Sequence, residues 1–187
     1  MQSTLDITKK KAGTHPPGFT LVELIVVIVI MAISFSLVTM SFKTWQKKST
    51  LESEIRELFT DLQAVRTRAV TQKSAYGVIL QPSGYMLRKY ATASNYSTGT
   101  GAATNGTLVT NKTFRYGLTS AGTTTPFTSA NNVIVFETTG MTTVTTPRMI
   151  IVVNPVTASP TINCIVVSSA HDNLGRWNAS TSNCEIN

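Results

Sequence analysis

Charged and apolar positions separate sharply along this chain, and their spacing predicts most of its elements. Leu24 to Phe42 is a run of 19 residues without a charge, and 19–42 spans 24 residues interrupted only by Glu23. About 20 apolar residues in a helix cross the hydrocarbon core of a bilayer, so residues 19–43 are expected to form a transmembrane helix. The run is too long for a secretory signal, and it is followed by Lys43, Lys47 and Lys48 rather than by a small-residue cleavage site. Past those lysines the pattern changes. Leu51, Ile55, Leu58, Leu62, Val65 and Ala69 recur at steps of four and three, which is one apolar stripe of an amphipathic helix. Glu52, Glu54, Arg56, Glu57, Asp61, Arg66 and Arg68 fall on the opposite face, expected to be solvated. No Pro or Gly lies between Phe19 and Gln72, so one helix is expected, with residues 44–72 as its amphipathic continuation.

Beyond Gln72 the period shortens to that of strands. Residues 75–80 and 85–90 flank Gln81-Pro82-Ser83-Gly84, a β-hairpin signature. Residues 91–112 are rich in Thr, Ser, Gly, Ala and Asn and are expected to form a flexible loop. Further strands are expected at 113–118, 133–138, 148–154 and 163–168, with Gly140 and Gly175 marking turns. The fold class is therefore α+β: a long N-terminal helix packed on a small antiparallel sheet, with residues 73–187 as a β-rich globular domain.

Composition adds the cellular setting. The chain has 187 residues, enough for one domain with appendages, and is 42% hydrophobic but only 13% charged. The part after the apolar helix is rich in Thr, Ser, Asn and Gly, as in extracellular β-rich domains. Cys164 and Cys184 form an even count in a chain that reads as exported, which favours a disulfide; two free thiols are the alternative. With His15 near the start and His171 alone, no metal or other cofactor is expected.

Glu23 needs a reason, because a carboxylate inside a membrane segment is costly. Thr20 and Glu23 have the spacing of a capping box, and the helix macrodipole favours a negative charge in the first turn. A sharper reason comes from resemblance. Gly18-Phe19-Thr20-Leu21-Val22-Glu23, preceded by Lys9, Lys10 and Lys11, resembles the processing motif of type IV prepilins and type II secretion pseudopilins. The resemblance implies a leader peptide over residues 1–18, cleavage between Gly18 and Phe19 by a prepilin peptidase, and N-methylation of Phe19. It also implies that Glu23 pairs with a neighbouring subunit's N-terminal amine during assembly. The lysines before the apolar segment argue for a cytoplasmic leader, those after it argue the other way, and the resemblance implies a periplasmic C-terminal domain anchored once in the bacterial inner membrane.

The later part is also familiar. Val65-Arg66-Thr67-Arg68-Ala69, the hairpin strand from Tyr85, Val135-Phe136-Glu137-Thr138-Thr139-Gly140, and Ile165-Val166-Val167 with Gly175-Arg176 resemble GspH/FimT-type minor pilins and pseudopilins. That resemblance implies a filament-building subunit, partnered by other pilins or pseudopilins, of a type IV pilus or alternatively of a type II secretion machine. No constellation for catalysis is present in the sequence, so no enzyme activity is expected. After Gln72 the chain carries a net +4, from which DNA binding through Arg176, Arg148, Arg115 and Lys112 is a third reading. In competence-associated members of the resembled family a Gly-Arg-x-Arg motif contributes to DNA binding. Here Gly175-Arg176-Trp177-Asn178 keeps the first arginine and lacks the second.

Overall fold

The computed structural model describes residues 18–91, 105–120, 127, 132–142, 149–154 and 159–186, with only the backbone described for 36–41 and 149–154. A single helix, α1, runs Leu21–Gln72. Thr20 caps it: its Oγ1 accepts a hydrogen bond from the Glu23 N–H at 3.2 Å, and its carbonyl takes the first helical bond from Leu24 N at 3.3 Å. The helix stops where Lys73 enters the left-handed region at φ 49°. A lysine pays a steric penalty there that glycine avoids. Lys73→Gly is therefore expected to stabilise the fold by about 0.5–1 kcal/mol, read as a raised midpoint in denaturant titration. An unchanged or lowered midpoint would mean that Gly's greater freedom in the unfolded chain cancels the gain.

The chain divides between Phe42 and Lys43 into two units. In the first, α1 exposes its apolar side chains from Leu21 to Phe35. Among the described side chains no helix is long and apolar enough to cross a membrane. Those of 36–41, which extend the uncharged run to Phe42, lie outside that description.

In the second unit α1 buries the stripe that its spacing foretold. Leu51, Ile55, Leu58, Leu62, Val65 and Ala69 are all at most 1% exposed. They share one core with Tyr76, Val78 and Leu80, Tyr85 and Leu87, Ile134 and Phe136, and Ile165 and Val167. These residues come from two antiparallel sheets rather than from one small sheet. The first has the order β3-β2-β1-β5, with β1 Ala75–Gln81, β2 Gly84–Tyr90, β3 Thr107–Thr113 and β5 Val133–Phe136. The second has the order β4-β6-β7-β8-β9, with β4 Gly117–Ser120, β6 Met149–Asn154, β7 Cys164–Val167, β8 Asp172–Asn178 and β9 Asn183–Ile186.

The hairpin of β1 and β2 closes at Pro82-Ser83, with Gln81 paired to Gly84. Three expectations need correction. The loop expected over 91–112 ends earlier, because 107–112 belong to β3, where β-branched Thr and Val suit an extended backbone; residues 92–104 lie outside the described residues. The strand expected at 113–118 is broken instead. Phe114, buried in the core, donates its N–H to Ser83 O at 2.7 Å, and the chain then crosses into β4 in the other sheet. Gly175, expected in a turn, lies inside β8 between Cys164 of β7 and Ile186 of β9. Gly140 does mark a turn, at φ 81° after Thr138 and Thr139.

Cys164 and Cys184 are joined in a disulfide with a Cα–Cα distance of 6.1 Å. The bridge links β7 to β9 across the intervening β8. A Cβ at position 175 would stand 2.7 Å from Cys184 Sγ and 2.3 Å from Glu185 O, so only glycine lets the bridge and β9 come this close. Closing a loop of 20 residues stabilises the fold by about 3 kcal/mol in the chain-entropy picture.

Candidate assembly segment and charged surface

The residues expected to be processed lie together at the start of α1. Gly18 has nothing near its Cα that a side chain would meet, and Phe19 is 85% exposed. Glu23 lies in the first turn of the helix, its backbone N–H held by Thr20. From Leu21 to Phe35 the large apolar side chains remain 47–74% exposed. A soluble chain rarely leaves so continuous an apolar surface uncovered.

The charged face of α1 behaves differently from the solvated face its sequence suggests. Glu52 Oε1 accepts the Thr161 N–H at 2.8 Å, and Glu54 Oε1 accepts the Arg115 N–H at 2.7 Å where the chain crosses between sheets. Burial pushes the Glu54 carboxyl up from its ordinary range, opposed by the backbone N–H groups of Arg115 and Tyr116. Glu57 and Asp61 both engage Lys112 of β3, at 2.7 and 2.9 Å. Hydrogen bonding to Glu57 raises the Lys112 ammonium above its ordinary range; desolvation opposes it, and Asp61 adds to the rise. Asp61 also accepts the Tyr85 hydroxyl at 2.7 Å, and burial with this bond holds that phenol protonated.

Nearer the end of α1, Arg66 reaches Asp172 of β8 at 2.9 Å, while Gln63 donates to the other Asp172 oxygen at 3.1 Å. Arg66 also donates to the Ala170 carbonyl, and its guanidinium lies 5.1 Å from the centre of the Phe136 ring. The Asp172 side chain is wholly buried. Desolvation raises its carboxyl above the usual range even though Arg66 pulls the other way. Sequence spacing could not reveal these clamps, since they join residues from 24 to 109 positions apart.

The four basic residues considered for DNA are not gathered into one site. Lys112 is engaged by two carboxylates on α1. Arg115 is exposed at the crossover between sheets. Arg176 is exposed on β8, opposite Glu185 of β9. Its neighbour Trp177 is half-buried against the disulfide and Val166, while Asn178 donates to Glu185 at 2.6 Å. Arg148 lies outside the described residues. Among the described residues, Arg176, Trp177, Asn178, Ala179 and Glu185 line a shallow polar groove.

Against known families, residues 54–171 match the one described as type II transport protein GspH. The chain belongs to the GspH family. A second match, to the prokaryotic N-terminal methylation motif, covers residues 17–39 of this GspH-family chain, including Gly18, Phe19 and Glu23. Together they make it a type IV pilin or pseudopilin of the minor, GspH/FimT type, so the resemblance seen in its sequence holds over both regions. No curated protein and no solved structure was found to match it.

Proposed function

We propose that this GspH-family chain enters a pilus-like filament through residues 19–42, after a prepilin peptidase removes residues 1–18. The observation that carries the reading is the methylation motif over Gly18–Glu23 leading directly into an exposed apolar helix. Cleavage leaves a positive amine on Phe19 in an apolar phase, where N-methylation keeps the charge. A carboxylate from Glu23 of an adjacent helix neutralises that amine, and each group offsets part of the other's desolvation cost. Until filament entry, the same helix anchors the subunit once in the inner membrane with the globular part periplasmic.

Glu23→Ala is expected to insert in the membrane at normal level and to drop from sheared filaments by about tenfold or more. Normal incorporation of the variant would remove amine pairing from the account. Intact mass of the extracted subunit gives a separate check, since the reading requires a mature N-terminus at methylated Phe19.

Of the two machines, the family's description as a type II transport protein favours the pseudopilus of a secretion system over a type IV pilus. Deleting the gene then blocks export of folded proteins and leaves surface pili intact; the reverse phenotype supports the pilus. Support for DNA capture comes from exposed Arg176 beside Trp177 and from Arg115. Lys112, already held by Glu57 and Asp61, adds little to it. Salt-sensitive binding of duplex DNA that weakens in Arg176→Ala would raise that reading.

A further inference from the structure

Of the edges of the two sheets, the outer side of β3 is the most open. It is seven residues long and ends its sheet beyond β2. Its side chains are exposed or half-buried throughout, with Leu108 at 50% and Val109 at 40%. The opposite edge strand of that sheet, β5, is largely buried. In an antiparallel strand every second residue turns its N–H and C=O away from the neighbour, so an edge strand carries a row of unused backbone groups. Among the described residues nothing pairs with that row on β3.

Proteins usually guard such an edge with a lysine, a proline or an inward charge. Here Lys112 is drawn away to Glu57 and Asp61, and no proline occurs in β3. A register shift against Leu87 and Arg88 leaves Val109 without a partner residue, which twists only the first part of the strand. The remaining stretch, Thr110 to Thr113, continues in regular register.

We propose that the outer edge of β3 accepts an extended strand from a different subunit of the same filament, one whose side chains carry carboxylates. This rests on the filament reading above, in which assembled helices hold neighbouring subunits at high effective concentration. Charge selects the kind of partner. Arg88 and Lys89 stand beside the start of β3, and Arg115 follows its end. A second copy pairing antiparallel would bring its Arg115 to the Arg88–Lys89 end of the first, at both ends of the joint, and like charges so placed disfavour it. A strand carrying carboxylates near its ends meets complementary charge at both ends of the edge.

The test uses the full-length chain in its own membrane, with the photo-crosslinker p-benzoylphenylalanine in place of Leu108. The expected adduct maps to an extended segment of another pilin-like subunit in the sheared filament fraction. Asn111→Glu lowers adduct yield and incorporation about threefold, whereas Asn111→Lys leaves both unchanged or raised. Position 111 is exposed, so both variants keep the wild-type unfolding temperature and the contrast does not come from misfolding. Normal incorporation without an adduct overturns the proposal, as does an adduct to a second copy, or equal behaviour of the two Asn111 variants. Absence of the unmodified chain from filaments overturns the filament reading itself and this proposal with it.

Discussion

Arg66→Ala is expected to destabilise the globular unit by about 3 kcal/mol at neutral pH, with a deficit that shrinks in acid. Removing one partner of a buried ion pair leaves the other charge uncompensated, and Asp172 is wholly buried. In the wild-type chain the Asp172 carboxyl already lies above its ordinary range because of desolvation, with Arg66 as the largest opposing influence. An acid whose folded pKa exceeds its unfolded value contributes stability that is complete below the unfolded pKa and is lost as pH rises through the folded one. Taking Arg66 away moves the folded value further up and deepens that loss. The variant's deficit should therefore be smallest below the ordinary aspartate range, near pH 3.8, and should widen toward neutrality. Denaturant titrations across that range check it. A deficit independent of pH would place the effect in the lost bond to Ala170 and the ring contact with Phe136.

Gly175→Ala is expected to cost at least about 3 kcal/mol and to impair disulfide formation. The added methyl would lie 2.3 Å from the Glu185 carbonyl and 2.7 Å from Cys184 Sγ, and the first of these is backbone that cannot turn aside. β9 must move away from β8, which carries Cys184 away from Cys164. Thiol titration of the denatured, non-reduced protein should show free cysteine in the variant and none in the wild type. Repeating the substitution in a Cys164→Ser/Cys184→Ser background separates the two clashes. Most of the loss should persist there, because the carbonyl remains; a harmless alanine in that background would assign the whole effect to the bridge.

The sequence disclosed the elements whose signal is periodic. The stripe from Leu51 to Ala69 became the buried face of α1 because a period near 3.6 admits few other arrangements. The hairpin over β1 and β2 was visible because Pro82 and Ser83 interrupt two apolar runs. The strands that escaped notice were those with no apolar alternation. β8 is Asp-Asn-Leu-Gly-Arg-Trp-Asn and β9 is Asn-Cys-Glu-Ile. Both are held by pairing and by the bridge rather than by an apolar face. β3 was hidden within Thr-rich sequence of low complexity, since threonine suits both strands and polar loops. The processing motif was legible because it is local, six adjacent residues ahead of an apolar run. The acidic face of α1 was not, because whether Glu54 or Asp61 meets water or Arg115 and Lys112 is decided by chain crossings far away in sequence.

The bridge over β8 also has a mechanical consequence for a subunit of the proposed filament. Tension applied beyond β9 can peel Glu185 and Ile186 from β8, about 7 Å of chain at the extended length of two residues. Beyond that point the pull no longer unzips hydrogen bonds one at a time. It passes through sulfur to β7, in the middle of the second sheet, and bypasses the enclosed loop, which bears no load while the bond is intact. Reduction turns this stop into a ripcord, so the force needed to unravel the domain from its tail is set by the redox state of a single bond.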